Sequence, residues 1–151
     1  MSVTHMLRFS LVAAVVMACS SDSTSPTLRG FVYSAASAQC GTAGGPAVAV
    51  YLAPNPMEAI GPSVPFVRVY VPVGPSQLTA HVWPIASNAE AAAWFYPDVS
   101  TSEIAESGYM IVNSVDSDNT INGSLDLFFP VAGHIKSEFH AKWRPNNVLC
   151  I

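Results

Sequence analysis

The chain has 151 residues, enough for one ordinary domain, with six Lys and Arg against ten Asp and Glu and a formal net charge of −4. Only 11% of the residues are charged while 50% are hydrophobic. The basic footprint that nucleic acid or an anionic lipid surface requires is therefore missing, and neither is expected as an electrostatic partner.

In chain order, Met1 to Arg8 carries the first positive charge, and Phe9 to Met17 follows as an apolar run broken only by Ser10. That run is well short of the about 20 apolar residues a membrane-spanning helix needs, and it has the size of the apolar region of an export signal. Ala18 puts a small residue directly before Cys19. The tetrapeptide Val16-Met17-Ala18-Cys19 resembles the lipobox of bacterial lipoproteins, which implies that residues 1–18 are removed and that Cys19 is lipidated. Each buried CH₂ of such an acyl chain contributes about 0.8 kcal/mol, so several chains anchor the protein stably to a membrane. Losing Arg8 leaves five basic against ten acidic side chains, a net charge of −5. Ser20, rather than an aspartate, follows the cysteine; by resemblance to sorting in Gram-negative envelopes, this implies the outer membrane over the inner one. Residues 19–27 then form the lipidated cysteine and a small, polar, proline-bearing tether, which leaves 28–151 as a single β-rich domain.

From Leu28 onward, short apolar runs alternate with Pro, Gly, Asn and Ser clusters. This pattern predicts an all-β fold, an antiparallel β-sandwich or small β-barrel of about eight strands with at most one short helix. Strands are expected near 28–34, 46–53, 65–73, 77–85, 91–96, 108–115, 120–129 and 134–143. In "FVRVYVPVGPSQLTAHVW", Val67, Val69, Val71 and Val73 alternate with Phe66, Arg68 and Tyr70. A turn on Gly74-Pro75-Ser76-Gln77 predicts a hairpin that pairs Val73 with Leu78, Val71 with Ala80 and Val69 with Val82. The same register sets Tyr70 opposite His81 and Arg68 opposite Trp83, with a cation–π contact in the second pair. These four residues form the candidate binding face, although mixed aromatic pairs also stabilise sheets without binding anything.

Alanine-rich Asn88 to Ala93 is open between helix and strand, whereas Ser100-Thr-Ser-Glu103 reads as a capping box and predicts a short helix ending at Gly108. Asp116-Ser117-Asp118-Asn119 suits a hairpin turn and lacks the glycine and distal glutamate of a calcium loop. In "HIKSEFHAKW", Ile135, Ser137, Phe139, Ala141 and Trp143 share one side and His134, Lys136, Glu138, His140 and Lys142 the other. His134 and His140 lie about 20 Å apart along such a strand and cannot share one metal ion. Two registers of this strand on its predecessor remain open, one pairing Asp126 with Glu138 and one pairing it with Lys136.

After loss of the signal, Cys40 and Cys150 are the thiols left beside Cys19, and in an envelope protein they are expected to form one disulfide. No Gly-x-Ser-x-Gly, His-Glu-x-x-His or P-loop motif occurs, so no catalytic residue, metal ligand or cofactor site is assigned. The expected role is a binding or interaction module with a protein or glycan partner in the envelope; a hydrolase of envelope polymers and a purely structural component are the alternatives.

The C-terminal run "SGYMIVNSVDSDNTINGSLDLFFPVAGHIKSEFHAKW" and the cysteine after it resemble a pattern in small bacterial lipoproteins of unknown function. Gly108, Gly123, Leu125, Phe139, Ala141, Trp143 and Cys150 stand at the places of that pattern, while Ser137 replaces a usual glycine and Cys150 comes later than expected. The resemblance implies a β-rich envelope lipoprotein and transfers no catalytic residue.

Overall fold

The computed structural model describes residues 27–28, 30–41, 44–57, 62–145 and 150. The segments expected to be an export signal and a tether, with Cys19, lie outside the described residues up to residue 26. Among the described residues ten strands are present: β1 (Thr27–Leu28), β2 (Tyr33–Cys40), β3 (Pro46–Ala53), β4 (Phe66–Val71), β5 (His81–Ala86), β6 (Ala92–Tyr96), β7 (Glu103–Ile104), β8 (Ser107–Val115), β9 (Ile121–Phe129) and β10 (Gly133–Arg144). They form one curled sheet, a half-barrel, in the order β5-β8-β9-β10-β2-β3-β4-β6-β7, with β1 added beside β10. An isolated parallel bridge between Ile85 and Ala91 brings β5 beside the residue that precedes β6. The fold is all-β, as the spacing of apolar runs predicts. Most pairs are antiparallel, but β10 meets both β1 and β2 in parallel.

The long strand β10 joins the two halves of the sheet. Its first nine residues pair with β9, and Lys142 to Arg144 pair with Ala35 to Ser37 of β2. Of the two open registers the structure adopts Asp126 opposite Lys136, and Lys136 Nζ donates to Asp126 Oδ2 at 3.1 Å. The curl is filled by Val48, Val50, Leu52, Val67, Val69, Val71, Met110, Val112, Leu125, Leu127, Phe129, Ile135 and Phe139, all within one core. Alternation along β9 and β10 places Leu125, Leu127, Phe129, Ile135, Phe139 and Ala141 inside, as their periodicity predicts. On β3 the outward residues Ala47, Ala49 and Ala53 are buried as fully as the inward Val48, Val50 and Leu52. Both faces of that strand are covered, which explains its nearly continuous apolar run.

Several expectations are corrected. The run 28–34 is not one strand, because Gly30 takes a left-handed φ of 109° and divides β1 from β2. The 3₁₀ turn Pro75–Gln77 forms where a turn is expected, yet it closes no hairpin: β4 pairs with β3 and β6, and β5 pairs with β8. The break shifts the phase of the strand that follows, so Val82 is exposed rather than buried. The capping box is a false signal. The Asp98 carboxylate takes the Ser100 and Thr101 N–H groups, and Glu103 reaches the β9–β10 turn, so no helix starts. Gly108 lies within β8 with φ 138°, where a Cβ would collide with Asp126 O. Of the open segment 88–93, Ala92 and Ala93 are strand and the residues before Ala91 form a turn.

Candidate functional site

A cluster of aromatic side chains lies on the outer side of β4 and β6. Val67, Val69 and Val71 point into the core, so Phe66, Arg68 and Tyr70 point out; on β6, Ala93 and Phe95 go in while Trp94 and Tyr96 go out. The register sets Phe66 opposite Tyr96 and Arg68 opposite Trp94. The Phe66 and Tyr96 rings stack with centroids 4.5 Å apart and planes 15° off parallel, and Tyr51 extends the row at 6.3 Å from Phe66. The Arg68 guanidinium lies 4.7 Å from the Trp94 centroid and 5.5 Å from that of Tyr96. Its Nε is buried without a hydrogen-bond partner, so ring contacts and not ladder-type polar bonds hold that part of the side chain.

Beside the stacked rings runs an open groove of about 470 Å³, lined by Pro62, Ser63, Val64, Phe66, Tyr96, Asp98 and Val99. Phe66 enters it directly after the cis Val64–Pro65 bond. Asp98 marks its polar edge. Oδ1 accepts from Ser100 N at 2.8 Å, Ser100 Oγ at 2.7 Å and Thr101 N at 2.9 Å, and Oδ2 accepts from Thr101 Oγ1 at 2.7 Å. The Thr101 and Ser100 hydroxyl bonds, with the Ser100 amide next, hold the carboxyl at a pKa of about 2 against an ordinary 3.8. The groove thus offers a flat apolar wall and one fixed anionic edge.

The four residues expected to form one face fall into two places. Arg68 and Tyr70 sit on β4, with Tyr70 directing its hydroxyl against Gly41, and His81 and Trp83 sit on β5. His81 and Trp83 do meet, edge to face with centroids 4.6 Å apart. They pair with Val112 and Met110, which places them on the core side of the sheet. The cation–π contact expected between Arg68 and Trp83 is made with Trp94 instead. Phe66, Tyr96 and Asp98 escape a reading of local pattern because 30 residues separate the two ring-bearing positions. The usable signals were the alternation in Trp94-Phe95-Tyr96 and the Asp-x-Ser-Thr turn that follows.

A second polar cluster lies at the β8–β9 turn. Asn122 Nδ2 donates to Asp116 Oδ2 at 2.8 Å and to Ser114 Oγ at 3.0 Å, which leaves its Oδ1 facing His140 Nδ1 at 2.6 Å. This arrangement assigns the proton of neutral His140 to Nδ1. Ser114 Oγ already donates to Asp116 Oδ1 at 3.1 Å, so the network orients an imidazole and holds no activated nucleophile. Among the described residues, no group of three or more His, Cys, Asp or Glu is placed to hold a metal ion. Cys40 and Cys150 are joined in a disulfide with Cα atoms 5.2 Å apart, and Cys150 Sγ lies 3.5 Å from Gln39 O.

Comparison of the chain with protein-family models, with curated proteins and with solved structures finds no match.

Proposed function

We propose that the protein is a lipid-anchored envelope lipoprotein, held in the outer membrane through Cys19, that acts as a binding module without catalytic activity of its own. The groove beside the stacked Phe66 and Tyr96 rings carries this reading. Binding sites are concave and mostly apolar with a few fixed polar groups, and this groove has two ring walls and one carboxylate held ionised. The Cys40–Cys150 disulfide supports an oxidising compartment, and the Val16–Cys19 tetrapeptide supports the anchor.

The test is affinity capture from solubilised envelope with the wild-type protein and a Phe66→Ala variant side by side, with equal melting temperatures checked first. A component retained by the wild type and lost from the variant is the expected result. Identical retention by both proteins would sink the groove as the binding site.

A further inference from the structure

Among the described residues two buried side-chain nitrogens have no hydrogen-bond partner, Trp83 Nε1 and Arg68 Nε. Trp83 packs against the core through its apolar ring. Arg68 differs, because it carries a charge and stands on the outer face of β4. Its guanidinium is held 4.7 Å from the Trp94 centroid and 5.5 Å from that of Tyr96. Among the described residues no carboxylate forms a salt bridge with it, and it makes no hydrogen bond. A side chain that served only to cover the rings could be a methionine or a leucine. Stacking fixes the plane of the guanidinium fork, so little freedom is lost when it donates two parallel N–H bonds to an oxyanion. A buried polar group without a partner calls for an acceptor.

Tyr96 links this cation to the groove, since its ring both approaches the guanidinium and lines the groove beside Val64, Phe66 and Val99. We infer that Arg68 is the anion-recognition residue of this site and that the ligand is a small apolar monocarboxylate, its body against Phe66 and Tyr96 and its carboxylate on the Arg68 fork. The inference rests on the groove reading above and names its ligand class. A groove of about 470 Å³ has the size of a small-molecule site. The charge suits one negative group. The sequence holds no Lys or Arg between Arg68 and Lys136, and Asp98 at the edge is itself anionic, so the nearly two charges of a phosphate monoester would not be balanced. An ammonium ligand is the alternative that Asp98 would favour. Both oxygens of that carboxylate already accept bonds from Ser100 and Thr101, and an ammonium would meet the Arg68 cation beside Tyr96.

The test titrates the full-length protein with 4-phenylbutyrate, 4-phenylbutanol and 4-phenylbutylamine, which share one apolar body. NMR signals of the Phe66 and Tyr96 rings and of the Arg68 Nε–H are followed. The carboxylate is expected to bind about tenfold more tightly than the alcohol, the lower end for hydrogen bonds to charged groups. It should also move the Nε–H signal, which the alcohol leaves in place. Arg68→Met keeps an apolar stem over the rings and should bring carboxylate and alcohol to equal affinity. Ring signals that respond equally to all three probes would overturn the anion site and leave the groove reading standing. A carboxylate preference that survives in Arg68→Met would do the same, and so would an Nε–H signal unmoved by bound carboxylate, whether or not the variant folds. Tighter binding of the amine would put the charged contact at Asp98 instead and end the inference. Ring signals that no probe moves would defeat the groove and the inference together.

Discussion

Single side chains in this domain are constrained chiefly by close approach between strands. A Cβ on Gly123 would overlap Ile111 O, a backbone atom fixed by the β8–β9 ladder, and would stand 2.6 Å from Phe139 Cζ. Neither neighbour can give way easily, so Gly123→Ala is expected to cost about 3 kcal/mol, at the upper end for an added methyl group; a urea midpoint with unchanged slope checks it. Asp98 gives a pH prediction. Its folded pKa of about 2 lies below the ordinary 3.8, so the turn's contribution is complete above about 3.8 and is lost as the pH falls through about 2. An NMR titration of the Asp98 carboxyl should show a midpoint near 2 in the wild type. Thr101→Val, which removes the largest stabilising bond, should raise it; an unmoved midpoint would contradict the assigned cause.

At the scale of elements, two short contacts carry weight beyond their length. β7 is only two residues long, yet its Glu103 carboxylate closes the gap to the β9–β10 turn through two backbone N–H groups. Glu103→Ala leaves those donors without their charged partner and should destabilise the domain by about 2 kcal/mol. Faster amide exchange at Val131 and Ala132 than at Leu125 would localise the effect. Across β4 and β6, Arg68→Ala should cost about 1 kcal/mol through loss of the stack on Trp94 and Tyr96. His81→Ala on β5 should leave the NMR signals of Tyr70 and Arg68 unmoved while shifting those of Trp83, because no β4–β5 hairpin sets Tyr70 opposite His81. The valine alternation in 67–73 correctly shows which side of β4 is buried, but alternation is the same whichever strand lies beside it. Pairing β4 with the next run was the local solution, and the fold uses β3 and β6 instead. The two C-terminal hairpins were readable because their turns, Asp116–Asn119 and Pro130–Ala132, lie within the stretch being paired.

For the molecule as a whole, the disulfide closes a separation of 110 residues between the end of β2 and the last described residue. Replacing both Cys40 and Cys150 by serine frees that loop in the unfolded chain and should lower stability by about 4–5 kcal/mol, read as a fall in melting temperature; a change near zero would show that the ends are held by other contacts. One candidate for such contacts is Arg144, which donates to Met57 O at 2.6 Å and so draws the end of β10 toward the β3–β4 connection. The core itself needs both halves of the curl, since Met110 and Leu125 pack with Val50 and Val69 in one cluster.

Composition and periodicity alone point to an all-β domain and to the buried side of β4, β9 and β10, because each depends on local alternation; with three cysteines in the sequence, the pairing of Cys40 with Cys150 was expected only on the reading that Cys19 is lipidated, and the folded chain shows it. The order of strands, the parallel joining of β10 to β2 and the meeting of Phe66 with Tyr96 were decided only by the folded chain. These are pairings between distant segments, chosen by how the sheet curls to cover one core, and several registers satisfy the same local pattern equally well. The candidate groove belongs to that second class, since its walls come from β4 and β6, which are neighbours in the sheet but far apart in the chain.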